Sequence, residues 1–553
     1  MRALQRRRSV ADMMLLTSLL VLLVGAAMSA EDQEQTSSYW QRAAREQLDR
    51  ALQRATDMDR LARAKNVVLF IGDGMGIATI TASGILKGGE GQLLTWERFP
   101  TVGLAKTYST DHMVPDSAAT ATAFLSGVKT RQKMLGLDGR AARGQCDPEL
   151  NKVAKLTTLA DWAQAAGKHT GVVTTARITH ATPGALYANI NHRDWECDNE
   201  ISNHSVGCVA DIARQLVEQS PGKDLRVVLG GGRRQMGVTG LADRDEDNSC
   251  VRSDGRNLAQ EWLKLGAGRR VYVNNTQELM RPGLVEEADY LMGLFSGGHM
   301  DYEAERDNSP SGQPSLSNMT RQAIRMLKKS PTGFFLLVEG GRVDMAHHKN
   351  YARLALLEAI QLDQAVATAL QEVDLKDTLV IVTADHSHAV TINGYPLKGS
   401  DILGVTMDED DDPAEAVPYE TISYANGPGA KVHGGRPLKS FSEEERAGLR
   451  YQHMSGIYTG HDETHGGEDV PVYSTGPGAA LLGGVFEQNY LATAMARLMR
   501  VGEHSSAAGN EVSASIKESG PSGEVTYTDR SSGGRVAPLL ALIVGSALYL
   551  SLH

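Results

Sequence analysis

Short runs of β-branched and aliphatic residues alternate along this chain with segments of helical pattern. Runs that are apolar at nearly every position suit strands covered on both faces. Their alternation with helices predicts an α/β fold: a large doubly wound, mostly parallel central sheet with helices on both faces. Four runs matter most. Asn66-Val67-Val68-Leu69-Phe70-Ile71-Gly72 stops at Asp73, and Phe334-Phe335-Leu336-Leu337-Val338 stops at Glu339. Thr378-Leu379-Val380-Ile381-Val382-Thr383-Ala384 stops at Asp385-His386-Ser387-His388, and Gly171-Val172-Val173-Thr174-Thr175 leads to Arg177 and then His180-Ala181-Thr182.

Ligands of an open α/β sheet bind just beyond the carboxyl ends of its strands, where loops and helix N-termini converge. Each acidic residue there has an ordinary reading, as a helix N-cap for Asp73 or Asp385 and as a paired core carboxylate for Glu339. Buried carboxylates need partners, and no basic residue adjoins them in the chain, so together they point to cations. Beyond Glu339, Asp344 and His348 are four residues apart in Asp344-Met345-Ala346-His347-His348. On a helix they would face the same way and hold one metal, with His347 turned elsewhere in a supporting or surface role. His461-Asp462-Glu463-Thr464-His465 adds histidine in a turn-rich segment, a weak signal alone. Nitrogen and oxygen ligands without cysteine suit zinc at His/Asp sites and magnesium at all-oxygen ones.

The candidate nucleophile is Ser117, in Pro115-Asp116-Ser117-Ala118-Ala119-Thr120-Ala121. The alanine-rich run predicts a helix whose N-terminus, at or near Ser117, favours negative charge. An ordinary N-cap serine is the competing reading. No G-x-S-x-G turn surrounds it, so a serine–histidine triad is not indicated, and a metal would have to activate the hydroxyl.

The 553 residues carry 67 acidic against 56 basic side chains, for a formal net charge of -11, with 57 glycines and 4 cysteines. This composition excludes a fibrous repeat, a disordered chain, a polytopic membrane protein and a small disulfide scaffold, and argues against nucleic-acid binding. The ends read as targeting signals. Residues 1–30 combine an Arg-rich start, a short apolar run and small residues before Glu31, as in a cleaved secretory signal. At the other end a polar stretch, 501–535, precedes an apolar tail, 536–553, with no basic residues after it, which matches a glycolipid (GPI) anchor signal better than a membrane span. Attachment at Ser531-Ser532-Gly533 or at Ser522 is left open. The expected location is therefore the outer face of the plasma membrane. In that compartment Cys146, Cys197, Cys208 and Cys250 can form disulfides in any of three pairings, and Asn203, Asn274 and Asn318 head glycosylation sequons.

Five motifs stand in order: Asp73-Gly74-Met75-Gly76, Pro115-Asp116-Ser117-Ala118, Val338-Glu339-Gly340-Gly341-Arg342, Thr383-Ala384-Asp385-His386-Ser387-His388 and Glu463-Thr464-His465-Gly466-Gly467-Glu468-Asp469. With them the chain resembles the alkaline phosphatases, particularly the animal, membrane-anchored kind, over a catalytic domain of residues 65–500. The resemblance implies hydrolysis of small phosphate monoesters through a phosphoserine on Ser117, with two zinc ions and one magnesium per subunit. Asp344, His348 and His465 would hold one zinc; Asp73, Asp385, His386 and the Ser117 oxygen the second; Asp73, Thr182 and Glu339 the magnesium. His180 and His388 would stand behind the ligands, and Arg193 would clamp the phosphoryl group. Cys146–Cys208 matches a family disulfide, leaving Cys197–Cys250 as the other. A helical arm at 31–64 that embraces a dimer partner, and a crown-like surface insert at about 392–456, are implied as well.

Two positions depart from the pattern. Met345 stands where the family commonly has histidine, and Ser296 follows Phe295 where animal relatives often have an acidic calcium ligand, so the resemblance does not carry a calcium site over. A sulfatase would need a C-x-P-x-R motif, which is absent. A phosphodiesterase of the same superfamily would reuse the zinc ligands, but Arg193, Thr182 and Glu339 favour a monoester. A catalytically silent surface receptor would not need the nucleophile.

Overall fold

The computed structural model describes residues 63–238, 250–266, 268–407, 417–434 and 438–505. The signal segment 1–30, almost all of the arm at 31–64, the acidic run Asp408 to Asp412 and the tail 536–553 lie outside the described residues. No described helix is long and apolar enough to cross a membrane.

The strands in chain order are β1 (Asn66–Gly72), β2 (Thr101–Lys106), β3 (His169–Arg177), β4 (Val227–Gly231), β5 (Arg270–Val273), β6 (Tyr290–Leu294), β7 (Phe334–Gly340), β8 (Thr378–Ala384) and β9 (Ser387–His388). There follow β10 (Val390–Ile392), β11 (Val405–Thr406), β12 (Tyr419–Glu420), β13 (Ile422–Asn426), β14 (Ser455–Ile457), β15 (His465–Gly466), β16 (Val470–Thr475) and β17 (Gly484–Glu487). Ten of them form one sheet in the order β17-β2-β16-β8-β1-β7-β3-β4-β6-β5. Only β16 runs against the others, pairing antiparallel with both β8 and β2. The four apolar runs become β1, β7, β8 and β3, which lie side by side. Every residue of β1, β7 and β8 is buried, as expected of strands with helices on both faces.

Both β3 and β7 extend further than the apolar runs alone suggest: β3 reaches Arg177 and β7 passes through Glu339 to Gly340. Glu339 therefore projects from within the ladder, with Ile71 and Thr174 as its register partners on either side. That position costs nothing in backbone hydrogen bonds and holds the carboxylate rigidly.

Residues 392–456 carry most of a small sheet, β10-β13-β14, and the hairpin β11–β12. A separate core of Ala82, Ala352, Leu356, Ile402, Leu403, Ile422 and Tyr424 packs this segment against the helices Ile77–Gly88 and Ala352–Glu372. A polar tether reinforces it. Asn350, fully buried at a left-handed φ of 55° just after the helix Arg342–His348, accepts from Gly429 N–H through Oδ1 at 2.9 Å. Its carbonyl accepts from His453 N–H at 2.9 Å.

Asn350→Ala combines a strained backbone with an orphaned Gly429 amide and is expected to cost about 2–4 kcal/mol. Asn350→Gly, which relieves the backbone, should cost less. Thermal unfolding together with limited proteolysis within 392–456 checks this; equal stability of the two variants would contradict it.

Candidate active site

At the carboxyl ends of β1, β7, β8 and β3 the side chains converge into three adjoining clusters. The first is Asp344, His348, His388 and His465, whose ligand atoms all lie within 4.8 Å of one another. Asp344 and His348 sit one turn apart on the helix Arg342–His348, as the spacing predicts. His465 arrives from far along the chain because β15 pairs antiparallel with β9, which sets His465 opposite His388. His348 Nδ1 donates to Glu463 O at 2.5 Å and His465 Nδ1 to Pro115 O at 2.8 Å. With Nδ1 of each ring held by a carbonyl, Nε2 is left facing Asp344 Oδ1, at 3.3 and 3.4 Å, to donate to it while protonated and to offer a lone pair once that proton leaves. That is the state a metal ligand requires.

His388 differs. Its Nδ1 meets the Glu463 carboxylate and its Nε2 lies 2.7 Å from Asp344 Oδ1. Burial opposes charge here, but Glu463 and Asp344 outweigh it and push the imidazole up to about 10. Held between these two carboxylates, His388 orients Asp344 from within the same four-residue group. Asp344 in turn is held well below the ordinary carboxylate range: burial would raise it, and the His348, His388 and His465 imidazoles more than compensate.

The second cluster gathers around Ser117. Its Oγ lies 3.1 Å from His386 Nε2 and 3.4 Å from Asp73 Oδ1, and His386 Nε2 is 3.1 Å from Asp385 Oδ2. His386 Nδ1 is engaged by Ser387 O at 3.1 Å. Burial, then His465, keeps this imidazole well below its usual range, so it is neutral and a poor base. Ser117 is the first residue of the helix Ser117–Ser126 and is not its cap; Asp116 caps the helix, accepting from Ala119 N–H at 3.3 Å. Gly74, at a left-handed φ of 70°, presents its N–H to Asp385 Oδ1 at 2.9 Å, where a side chain would run into the His388 ring.

The third cluster is oxygen-rich. Asp73, Glu339 and one ring nitrogen of His180 group within 4.8 Å. Asp73 Oδ2 and Glu339 Oε1 are buried with no hydrogen-bond partner among the described residues. Thr182 Oγ1, buried beside Glu339, likewise has none that meets hydrogen-bond geometry. Burial, then neighbouring carboxylates, raises Asp73 well above its usual range, while Glu339 is pushed up to about 7, chiefly by burial. Buried carboxylate oxygens with no donor fit a bound cation, and an all-oxygen set fits a hard one.

Arg193 closes the site. Its Nη1 donates to Asp116 Oδ2 at 3.1 Å, its Nη2 contacts His180 Nε2 at 2.9 Å, and its charge lowers Asp73. A guanidinium only donates, so His180 Nε2 accepts, and its proton sits on Nδ1. Burial, Arg193 and Arg177 keep this ring neutral. In that tautomer the His180 Nδ1–H is buried with no hydrogen-bond partner among the described residues.

The structure thus brings together Asp73, Ser117, Thr182, Arg193, Glu339, Asp344, His348, Asp385, His386 and His465, with His180 and His388 among them. His347 is neither exposed nor beside the clusters' open side: it is buried, with Nε2 on Thr79 Oγ1 and Nδ1 on Tyr424 OH, each at 2.9 Å. His461 is exposed. The Met345 sulfur accepts from Arg342 Nη1 at 3.2 Å, so a thioether occupies that position. Sequence reasoning quoted Asp116 and Glu463 only within motifs and missed their work. Asp116 joins the nucleophile helix to Arg193 and to Lys133 N–H at 2.8 Å. Its place before Ser117 was the available signal; Thr174, which donates to Glu339 from the neighbouring strand, had none. Cys146–Cys208 and Cys197–Cys250 are both bonded.

Above about pH 7.5, a unit past the ordinary histidine value, the depressed imidazoles of His180, His348 and His386 are neutral folded and unfolded alike and add no slope. Glu339, at about 7, and His388, at about 10, bind more protons folded than unfolded there. Stability carried by raised groups is lost as pH climbs through their folded values. Metal-free protein is therefore expected to melt at falling temperatures from about pH 7.5 to about 9, while added zinc and magnesium restore more stability the higher the pH. Paired melts with and without chelator check this; parallel curves would contradict it.

The alkaline phosphatase family profile matches residues 64–501. Alkaline phosphatase 4 of Drosophila melanogaster is 45% identical over 507 residues, covering 85% of this chain and 82% of that protein. The membrane-bound alkaline phosphatase of Bombyx mori is 40% identical over 485 residues, covering 85% and 86%. Among solved structures, the alkaline phosphatase of the Antarctic bacterium TAB5 superposes with a TM-score of 0.56 at 24% identity, over 80% of this chain and 99% of that one, and supports the fold. Fold, convergent site and sequence kinship agree: this chain belongs to the alkaline phosphatase family, metal-dependent phosphoric monoester hydrolases.

Proposed function

We propose that the chain hydrolyses small phosphate monoesters through a phosphoserine on Ser117, releasing inorganic phosphate and an alcohol. The observation that carries this reading is the placement of Ser117 Oγ, 3.4 Å from Asp73 at the first position of a helix, with the Arg193 guanidinium acting on the same carboxylate. Asp344, His348 and His465 would hold one zinc, Asp73, Asp385 and His386 the second, and Asp73, Thr182 and Glu339 a magnesium. Bound there, these ions would supply the positive charge that lowers the serine pKa and stabilises a departing oxyanion.

The chain's own groups do the rest. Ser117 Oγ attacks phosphorus in line, and the ester oxygen departs on the side of His348 and His465. The guanidinium spans two equatorial oxygens, a grip the single ammonium of lysine cannot reproduce, and N–H groups of the first helical turn, which lack intrahelical acceptors, face the same charge. Asp116 and His180 hold the guanidinium ready, so little reorganisation accompanies the reaction. Water then attacks the phosphoserine from the opposite face and frees Ser117.

The remaining readings concern setting. The apolar tail, the polar spacer and the N-terminal signal support a GPI-anchored protein on the outer cell surface. Asn203 and Asn274 are exposed and Asn318 half-buried, which suits glycans best at the first two. A homodimer remains part of the proposal.

Ser117→Ala is expected to keep its fold and zinc content while phosphate release falls by at least about 10³-fold. Acid-quenched wild type should carry one phosphate on Ser117, readable by mass spectrometry. Full activity of the variant would overturn the assignment. Arg193→Ala should raise the inhibition constant of inorganic phosphate by about tenfold or more, and Arg193→Lys should recover little of it. A monoester and a diester of one leaving group, compared on the same enzyme, should differ strongly in favour of the monoester.

A further inference from the structure

Two tight turns flank the phosphate clamp. In one, His180 N–H donates to Arg177 O at 3.0 Å, and in the other Trp195 N–H donates to His192 O at 3.2 Å with Arg193 between them. The His180–Arg193 contact crosses from one turn to the other. Behind it lies an ion pair that the reaction does not use. Arg177 Nε and Nη2 donate to the Glu196 carboxylate at 2.9 and 2.6 Å, and Thr179 Oγ1 donates to Glu196 Oε2 at 2.5 Å. All three residues are buried. Arg177 Nη1 also reaches His299 Nε2 at 2.5 Å, and the His299 ring stands edge-on to His180 at 5.2 Å.

Arg177 and Thr179 belong to the segment that carries His180 and Thr182. Glu196 belongs to the segment that carries Arg193. The pair therefore staples the third cluster to the clamp. Glu196 has firm footing of its own: its carbonyl accepts from Ala213 N–H at 3.2 Å, that of Trp195 accepts from Ile212 N–H at 3.0 Å, and the next residue is bonded through Cys197–Cys250. A carboxylate anchored from behind and gripped in a bidentate fork fixes direction as well as distance.

We propose that Glu196 is a positioning residue for the clamp: gripped by Arg177 and Thr179, it sets the pose in which Arg193 meets the phosphoryl group. This deepens the reading of Arg193 given above and rests on it. Glu196 touches no substrate. A purely structural carboxylate would change stability alone, whereas a positioning one changes phosphate affinity through Arg193 and loses that effect once Arg193 is gone.

The test is a double-mutant cycle on metal-loaded enzyme, reading competitive inhibition by inorganic phosphate during aryl phosphate hydrolysis, with metal content and melting temperature alongside. Glu196→Gln is expected to weaken phosphate by about tenfold and to raise KM more than it lowers kcat. In an Arg193→Ala background the same change should cost less than about twofold. Thr179→Val removes one hydrogen bond without stranding a charge; it should show the same coupling at about threefold, and it carries the test if Glu196→Gln does not fold. Unchanged phosphate affinity in the variant that folds, or an undiminished loss without Arg193, would overturn the proposal. Wild type that fails to hydrolyse the aryl phosphate would instead overturn the functional reading.

Discussion

Four fully buried carboxylates, Asp73, Glu339, Asp344 and Asp385, share one small space, and each raises or is raised by others of the set. Left to themselves they would take up protons or force the site apart, because charge in a low-dielectric interior is tolerable only when compensated. Imidazoles meet this need at Asp344, where three of them hold the carboxyl charged. Around Asp73 and Glu339 no such donors stand, and bare oxygens remain. The local instability is thus the same property as metal affinity. It also explains why the surrounding frame is so rigid: mutually repelling groups stay together only if strands over-determine their positions.

The frame meets that demand in two ways. Adjacent parallel strands deliver Asp73, Glu339, Asp385 and the His180 segment to one edge, with Glu339 locked inside the ladder itself. Contacts distant in sequence deliver the remainder: the short pairing of β15 with β9 brings His465, and Asp116 links the nucleophile helix to the clamp. Polar tethers such as Asn350 and the Arg177–Glu196 pair then fix segments that the apolar cores have already brought together. Apolar burial positions elements to within a few ångströms, and hydrogen-bonded charges set the direction of individual side chains.

The histidines show how environment divides labour among chemically identical groups. His348 and His465 each donate Nδ1–H to a backbone carbonyl, which leaves Nε2 for a metal. His388 lies between two carboxylates, which push its imidazole well above the usual range. His180 accepts from the Arg193 guanidinium and steadies it, while His347 bridges Thr79 and Tyr424. The partner on the far side of each ring decides its role.

The apolar runs, their order and the acidic residues at their ends determined the sheet, its nearly uniform direction and the edge at which a site must form, because strand burial and βα alternation are local patterns. The four-residue spacing determined that Asp344 and His348 share a face. Motif order determined the family. Only the tertiary structure decided that Asp116 and not Ser117 caps the nucleophile helix, that Glu463 and Asp344 grip His388 from two sides, that Thr174 supports Glu339, and that Glu196 reaches the Arg193 loop from behind. Apart from the local Asp116 cap, these facts depend on groups that meet across 17 to 165 positions of chain. A linear pattern records what each residue offers; its proton, charge and orientation are set by neighbours that folding alone supplies.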